Sequence, residues 1–201
     1  ILREVALARE LAESPTIRRW ARQPDDPKLA RPALAELDDY RRRFQDQNYF
    51  IALRKSGRYF YNNAADEFAG REFRYLLGPQ APKDAWFYNL IRQDRRLHLN
   101  VNPDPELGIT KLWIDVLVKD GGETLGVAGT GLELSAFVRD VVEPDVEGIT
   151  GLFVDRNGAI QLHRNPSLID FASITKQGRP QKTLDQLFAR DEDRRQILAA
   201  M

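Results

Sequence analysis

Cysteine is absent from the 201 residues of the chain, which excludes disulfides, thiolate nucleophiles and cysteine-bound metals in one step. No run approaches the roughly 18 consecutive apolar residues of a membrane span, and the start lacks the basic-then-apolar pattern of a signal peptide. Net charge is absent as well, because 30 basic residues balance 30 acidic ones. A protein that binds nucleic acid usually carries a basic excess, so nucleic acid is not expected as a partner.

Motifs of catalysis and metal binding are missing too. Nucleophile-elbow, Walker-type and dinucleotide-binding patterns do not occur, and the glycines of segment 126–131 indicate a strand of small residues. His98 and His163 have no neighbouring ligand pattern. The segment from Asn100 to Glu106 is interpreted as a loop, and its acids Asp104 and Glu106 fall short of a dedicated calcium loop, so calcium is only a minor alternative there. The sequence predicts no enzyme activity, no metal and no cofactor in this region.

What the chain does contain is typical of a folded soluble protein. Hydrophobic residues make up 42% and charged residues 30% of the sequence, and its length allows one good core or two modest ones. The chain opens at Ile1, without an initiator Met and in the middle of an amphipathic pattern. We interpret this start as that of a fragment from a longer protein whose flanking segments hold membrane anchors.

Helical spacing dominates the first part of the sequence. Residues 1–23 are predicted to form a helix that Ser14 and Pro15 bend or split in two. After the breaker cluster at 23–27, a second helical face ends near Gln47. Two long helical stretches therefore precede any strand.

Strand signals follow and alternate with helical ones. Period-two runs and turn residues predict three hairpins, over 49–61, 110–129 and 151–163. A helix is predicted over 83–93 in the segment between the first two hairpins, with Asp84 as the residue that caps its start.

Helical patterns return in the last third of the chain. A connector helix is predicted from Leu132 to Val142, where Pro144 stops it. Residues 166–176 are predicted to be a short helical or irregular excursion, and Thr183 to Met201 an amphipathic helix.

Three arginine runs lie on the predicted helices. Acidic neighbours favour solvated helical faces, and contact with anionic lipid headgroups is the alternative. These runs are Arg18-Arg19, Arg41-Arg42-Arg43 and Arg194-Arg195.

Five short segments, in this order and spacing, carry a resemblance to a known family. They are Ser14–Ile17, Ala85–Phe87, Lys111–Asp115, Gly126–Leu132 and Phe153–Ile160. Together with the long helical start and the two groups of strands, they resemble the double Cache sensor domain of bacterial diguanylate cyclases, histidine kinases, chemoreceptors and phosphatases. The resemblance spans nearly the whole chain.

The resemblance implies an α+β fold, in which a long N-terminal helix is followed by PAS-like antiparallel sheets with flanking helices. It also implies a division of the chain into four parts, the last of which is expected to be incomplete. These parts are an N-terminal helical stalk at 1–47, a membrane-distal ligand-binding module at 48–131, a connector helix at 132–147 and a membrane-proximal module at 148–201.

The function implied by the resemblance is sensing on the periplasmic or extracellular side of the bacterial inner membrane. The distal module would bind a small-molecule ligand, and a homodimer anchored by flanking transmembrane helices would relay the signal to a cytoplasmic output. Family members that bind amino acids have an arginine where this chain has Asp84 and an aspartate where it has Gly131. A carboxylate, an alcohol or another small polar metabolite is therefore expected, and not a free amino acid. The alternative is a module that binds a periplasmic protein without a small-molecule ligand.

Candidate ligand-binding residues lie first on the predicted pocket helix and on one strand. Trp86 offers an aromatic wall and Tyr88 a phenol, with core packing as the alternative for Trp86. Lys111, Trp113 and Asp115 alternate along one strand and so share a face, which offers a cation, a ring and an anion to a polar ligand. The alternative is the solvated side of an antiparallel sheet.

Three further candidates lie on neighbouring strands. Thr130 can donate a hydroxyl, and Gly131 allows close approach of a ligand, with a β-bulge as the alternative. Tyr61 shares a face with Tyr59 on the first hairpin, and its hydroxyl points either into a pocket or towards solvent.

Overall fold

The computed structural model describes residues 1–104, 109–134, 142, 149–155, 157–170 and 181–200. They form helices and antiparallel strands, so the predicted α+β class is confirmed. The chain divides into two compact units, the first comprising Ile1–Asn100 and Leu112–Leu132 and the second Val101–Lys111 and Glu133–Met201.

Five α-helices and three short 3-10 helices lie in the described residues. None of these helices is both long enough and apolar enough to cross a lipid bilayer. The α-helices are α1 (Leu2–Glu13), α2 (Pro15–Arg22), α3 (Pro27–Arg43), α4 (Ala85–Gln93) and α5 (Asp191–Ala200), and the 3-10 turns are Pro82–Asp84, Pro166–Leu168 and Leu184–Leu187.

The predicted split of the first helix at Ser14 and Pro15 is confirmed. The Ser14 hydroxyl oxygen accepts hydrogen bonds from the backbone N–H groups of Thr16, at 3.1 Å, and Ile17, at 3.4 Å. Ser14 therefore caps α2, and Pro15 takes the first helical position, where its missing N–H costs nothing.

In the part of the chain that the structure describes, eight strands form two sheets. In the six-stranded sheet the order is β3-β2-β1-β6-β5-β4, and β7 pairs with β8 in the second sheet. The three predicted hairpins are the neighbouring pairs β1/β2, β5/β6 and β7/β8. The strands are β1 (Tyr49–Leu53), β2 (Arg58–Asn62), β3 (Phe73–Leu76), β4 (Leu97–Asp104), β5 (Ile109–Asp120), β6 (Glu123–Glu133), β7 (Leu152–Val154) and β8 (Ile160–His163).

Two of these strands were not predicted. Phe73–Leu76 has only four residues, and Leu97–Asp104 contains the loop-forming residues Asn, Pro and Asp. Both lie at edges of the sheet, where a strand can be short and can accommodate proline on its unpaired side. The interpretation of the segment from Asn100 as a loop was therefore wrong as far as Asp104.

The predictions for the last third of the chain were partly wrong. Strand β6 runs through Leu132 to Glu133, so the connector helix does not start at Leu132, and most of that predicted helix lies outside the described residues. The predicted helix over 183–201 is interrupted, because Phe188 has extended backbone angles between the last 3-10 turn and α5. Residues 171–176 of the predicted excursion are not among the described residues.

The core of the first unit lies between its N-terminal helices and the six-stranded sheet. Leu11, Ile17, Trp20 and Leu37 on the helices are fully buried. The ring of Trp20 meets the ring of Phe60 on β2 edge to face, with 5.0 Å between ring centroids. The helices therefore bury apolar surface against the sheet within one compact unit.

Arg41 departs from the predicted solvated face of α3. Its side chain is 7% exposed, and its guanidinium donates to the Asp38 carboxylate at 2.6 Å and to the Asn63 carbonyl at 3.0 Å. Arginine presents several donors in a fixed plane, so it can satisfy two acceptors while buried. The prediction of a solvated face was thus wrong for Arg41.

Candidate functional site

Phe50 on β1 is the centre of a group of aromatic rings in the first unit. Its ring stacks on Tyr59 with 6.0 Å between centroids, and it meets Trp86 at 5.8 Å and Trp113 at 5.7 Å edge to face. Strand β1 lies between β2 and β6, which allows Phe50 to contact rings from several segments. We define the aromatic cluster as Phe50, Tyr59, Tyr75, Trp86 and Trp113.

Tyr59 extends the aromatic cluster towards the edge strand β3. Its ring lies 5.0 Å from that of Tyr75 and 6.3 Å from that of Trp86, measured between centroids. Phe50 is almost completely buried, whereas the other four rings each keep part of their surface exposed. The cluster therefore has a buried base and an accessible aromatic surface, which is how many small-molecule sites are built.

Asp115 is the buried acid beside the aromatic cluster. Asp115 is 4% exposed, and no hydrogen bond from the chain contributes to the pKa of its carboxylate. Burial raises the pKa of Asp115 to about 7. Burial also raises the pKa of the Tyr59 phenol, and the charge of Asp115 raises it further. A carboxylate buried to this degree is unusual in native proteins, because burial disfavours its charged form.

Asp84 is a second buried acid, and its predicted role was wrong. It precedes α4, but its side chain makes no capping hydrogen bond to that helix. Instead, its Oδ2 accepts the backbone N–H of Gly78 at 2.8 Å. Its Oδ1 is buried and makes no close hydrogen bond within the described segments, although the carboxylate is near enough to the Tyr75 hydroxyl to interact with it. Burial is the main cause that raises the pKa of the Tyr75 phenol, and the nearby Asp84 carboxylate raises it further.

Thr130 and Gly131 are fixed by Asn48, the residue before β1. The Asn48 amide donates to the Gly131 carbonyl at 2.7 Å and its Oδ1 accepts the Gly131 N–H at 2.8 Å. The Thr130 hydroxyl donates to the Asn48 carbonyl at 2.8 Å, and Thr130 is completely buried. Thr130 thus has a structural hydrogen bond, and its contact with a ligand stays a prediction.

Gly131 lies directly beside the ring of Trp113. A Cβ atom at Gly131 would lie 3.0 Å from Cζ3 of Trp113, closer than ordinary van der Waals contact. The absence of a side chain at Gly131 therefore sets the position of the Trp113 ring.

The structure brings some of the predicted residues together. Trp86 and Trp113 both contact the ring of Phe50. Tyr88, on α4 with Trp86, donates its hydroxyl to the Leu77 carbonyl at 3.3 Å.

Tyr61 and Lys111 are placed differently. Tyr61 packs against Phe68 with 5.9 Å between ring centroids. Lys111 is half-buried and belongs to the second compact unit. Ligand roles for both residues stay predictions.

Sequence reasoning missed Phe50, Tyr75 and Asn48 at this site. Phe50 lies in a strand that is buried on both faces, so its alternation gave no sign of a site. Tyr75 lies in the unpredicted strand β3, and Asn48 acts through contacts that are distant in sequence. For the first hairpin, the only sequence signal of a site was the period-two spacing of Tyr59 and Tyr61.

Two cavities lined by other residues lie in the first unit. One of about 420 Å³ is lined in part by Arg22, Arg54 and Glu123, and one of about 230 Å³ by Arg9, Glu13 and Arg18. In the first cavity Arg22 is paired with Glu123, at 3.2 Å. Across the described ranges, no three His, Asp or Glu side chains are grouped so as to hold a metal ion.

No model of a known protein family matches the chain. Solved structures of similar fold are sensor domains of bacterial chemoreceptors. The ligand-binding domain of the Pseudomonas aeruginosa amino acid chemoreceptor PctC, in complex with GABA, gives a TM-score of 0.55 at 22% identity, over 92% of this chain and 72% of that one. The ligand-binding domain of the Pseudomonas fluorescens chemoreceptor CtaA, in complex with L-serine, gives a TM-score of 0.56 at 16% identity, over 93% of this chain and 69% of that one.

The sensory domain of the Campylobacter jejuni chemoreceptor Tlp3 has a similar fold as well. It gives a TM-score of 0.52 at 13% identity, over 82% of this chain and 62% of that one. The chain thus spans between 62% and 72% of the length of these three domains. Its fold is that of Cache-type sensor domains, as the sequence resemblance predicted.

Proposed function

We propose that this chain is the extracytoplasmic sensor region of a membrane-anchored bacterial signalling protein, and that the aromatic cluster with Asp115 binds a small polar metabolite. The observation that carries this proposal is a carboxylate that is buried beside accessible rings and has no donor in the described part of the chain. A ligand with N–H or O–H groups would supply the missing donor, and the rings would cover its carbon atoms.

A free amino acid is not the ligand that we propose. The chemoreceptor domains of similar fold are complexes with GABA and L-serine, so ligands of this size suit the fold. In family members that bind amino acids, an arginine and an aspartate hold the two ends of the ligand. This chain has Asp84 and Gly131 in their places, and Gly131 carries no side chain with which to bind an amine.

The signal is proposed to pass from the sheet to the N-terminal helices. Helices α1 to α3 share one compact unit with the sheet, and Trp20 of α2 packs on Phe60 of β2. A ligand that favours one of two arrangements of the sheet would therefore shift these helices. The proposal includes a homodimer, flanking membrane anchors, a cytoplasmic output and no catalysis in the sensor region. It keeps the division into helical stalk (1–47), distal module (48–131), connector (132–147) and proximal module (148–201).

The proposal is tested by ligand screening followed by mutation. Thermal-shift assays on the 201-residue chain across metabolite classes, with isothermal titration of the hits, are expected to identify a small polar ligand. Trp113→Ala is expected to weaken that ligand by about tenfold or more, since a buried ring contact is lost. Phe153→Ala, a change of an exposed ring in the second unit, is the control and is expected to leave the affinity unchanged. An intact chain that binds no metabolite of any class would rule the proposal out.

A second candidate function is the binding of a periplasmic protein. It is favoured by the edge strand β3, where Phe73 is 46% and Leu76 62% exposed. Exposed apolar side chains on an unpaired strand edge are suited to contact with another chain. If this function is correct, a partner will copurify with the chain, Phe73→Asp will release that partner, and Trp113→Ala will not.

A further inference from the structure

We propose that the ligand of the aromatic cluster is an organic cation, an ammonium compound whose charge is held by Asp115 and whose carbon skeleton lies on the rings. This inference rests on the proposed sensor function and narrows its ligand class. It disfavours the carboxylate that the sequence resemblance allowed, because a carboxylate would bring a like charge close to Asp115.

The first argument is the charge of Asp115. Asp115 is 4% exposed, and no hydrogen bond from the chain offsets the effect of this burial on its pKa. Burial accordingly shifts its pKa to about 7, which means that its charged form is poorly compensated in the unliganded chain. A ligand cation would both donate hydrogen bonds to this carboxylate and neutralise it, and charge-assisted hydrogen bonds are the stronger kind.

The second argument is the chemistry of the rings. Trp86, Trp113 and Tyr59 each keep part of their surface exposed around the buried Phe50. The faces of tryptophan and tyrosine rings carry negative potential and attract ammonium groups, tryptophan most strongly. An aromatic wall beside an acid therefore selects for a cation with an apolar body, and a neutral ligand would gain from the rings only.

The third argument is a cation that the aromatic cluster already attracts. The Lys83 ammonium lies over the face of Tyr75, 4.4 Å from the ring centroid. The neighbouring Tyr59 ring lies 5.0 Å from Tyr75. The chain itself thus contains the type of contact that the proposed ligand would make on the adjoining rings.

Asp84 adds a second acceptor at the Tyr75 end of the aromatic cluster. Its Oδ1 is buried, and its carboxylate acts on the Tyr75 hydroxyl through its charge and through a hydrogen-bond interaction. Asp84 acts on the phenol of Tyr75 and Asp115 on the phenol of Tyr59, and the two rings lie 5.0 Å apart between centroids. A ligand with two ammonium groups is therefore expected to bind more tightly than one with a single group.

The experiment uses four probes that share a four-carbon skeleton and differ only in their end groups: butylamine, butane diamine, butyrate and butanol. Isothermal titration on the 201-residue chain is done at about pH 8 and low salt, where Asp115 is mostly ionised and screening is weak. The amines are expected to bind, the diamine more tightly than butylamine. Butyrate and butanol are expected to bind at least about tenfold more weakly than butylamine.

The variants assign the charge to its residue. Asp115→Asn keeps the shape and is expected to weaken the amines by about tenfold or more, while butanol is unaffected. Asp84→Asn is expected to reduce only the advantage of the diamine over butylamine. Asp39→Asn, a carboxylate that is 67% exposed on α3, is the matched control and is expected to change nothing. Circular dichroism checks that each variant is folded.

Two results would overturn the proposal. One is binding of butyrate or butanol that is as tight as that of butylamine, and the other is a folded Asp115→Asn that binds the amines as the wild type does. If butyrate binds and Trp113→Ala abolishes its binding, the sensor function stands and the cation class fails. If no probe binds and no metabolite from the broader screen binds, the sensor function fails with it.

Discussion

A carboxylate as deeply buried as that of Asp115 links the stability of the fold to pH. Its pKa in the folded chain is about 7, whereas an aspartate in an unfolded chain titrates near ~3.9. Between these values the folded state holds a proton that the unfolded state has released. The free energy of unfolding therefore falls as pH rises from about 4 to about 7, and the contribution is constant above that range.

The first prediction is that Asp115→Asn removes this pH dependence. The difference between the two pKa values corresponds to about 4 kcal/mol, so the variant is expected to be more stable than the wild type by up to that amount at about pH 8. At about pH 4 the two are expected to be nearly equal. Urea denaturation at both pH values measures the difference. Asp39→Asn is the control, and a constant difference between wild type and Asp115→Asn at both pH values would contradict the prediction.

Nothing in the sequence marks Asp115 as buried. The period-two spacing of Lys111, Trp113 and Asp115 predicted a shared face but also fitted a solvated one. Asp115 lies near residues that are distant in sequence, such as Tyr59, on whose pKa its charge acts, and periodicity does not contain this information. At the residue scale the sequence therefore named candidates but not their environment.

At the scale of elements, two glycines on β6 differ in what surrounds them. A Cβ atom at Gly129 would lie 1.7 Å from the backbone oxygen of Ile114, whereas one at Gly131 would meet only the ring of Trp113 at 3.0 Å. Backbone of the neighbouring strand cannot move without loss of pairing, but an exposed part of a ring can shift by a few tenths of an ångström.

We therefore expect Gly129→Ala to destabilise the chain by about 3 kcal/mol or more, and Gly131→Ala by about 1 kcal/mol. Gly131→Ala is further expected to lower the affinity for the ligand several-fold, since the methyl group would displace the Trp113 ring. Urea denaturation gives the first comparison and isothermal titration the second. Equal losses of stability in the two variants would show that the strands adapt to a methyl group.

The cap of α2 gives a third prediction. Ser14→Ala removes the acceptor for the N–H groups of Thr16 and Ile17 and is expected to lower the free energy of unfolding by about 1 kcal/mol. Ser14→Thr retains an acceptor and is expected to lose less. Thermal denaturation of the two variants side by side measures the effect. If Ser14→Ala were as stable as the wild type, water would have replaced the serine cap.

Elements with strong local signals were predicted, and elements defined by pairing were not. Proline at position 15 and the Asn157-Gly158 turn marked their helix and hairpin correctly. Strands β3 and β4 depend on neighbours that satisfy their backbone hydrogen bonds, so their own residues gave little signal. Strand β6 pairs with β1 from Gly126 to Gly129 and extends beyond this pairing to Glu133, which its own residues did not indicate.

At the scale of the molecule, the N-terminal helices are part of the core of the first unit. Trp20 is fully buried and its ring packs on Phe60 of the sheet. We expect Trp20→Ala to lower the free energy of unfolding by about 3 to 5 kcal/mol, because a large cavity would open between helix and sheet.

Trp20→Phe is the matched control for this prediction. The Trp20 indole nitrogen is buried without a hydrogen-bond partner in the described part of the chain, so a smaller ring is expected to cost less. Chemical denaturation followed by far-ultraviolet circular dichroism reports on helices and sheet together. If the helices of Trp20→Ala unfolded while the sheet remained, the two would not form one cooperative unit.

The order of the six-stranded sheet was beyond the reach of the sequence. Strand β1 pairs with β6 although about 75 residues separate them, as Phe50 opposite Gly129 shows. Such pairing depends on the whole fold, and the family resemblance predicted antiparallel sheets without a strand order. The α+β class and the Cache-type fold were thus predicted, while the arrangement that assembles the aromatic cluster was not.

Asn48 ties these scales together. Its side chain clasps both backbone groups of Gly131, the residue beside the ring of Trp113, and its carbonyl holds Thr130. These three hydrogen bonds join the end of β6 to the residue that precedes β1. A displacement of the Trp113 ring would therefore be transmitted through Gly131 and Asn48 to the backbone that leads back to α3.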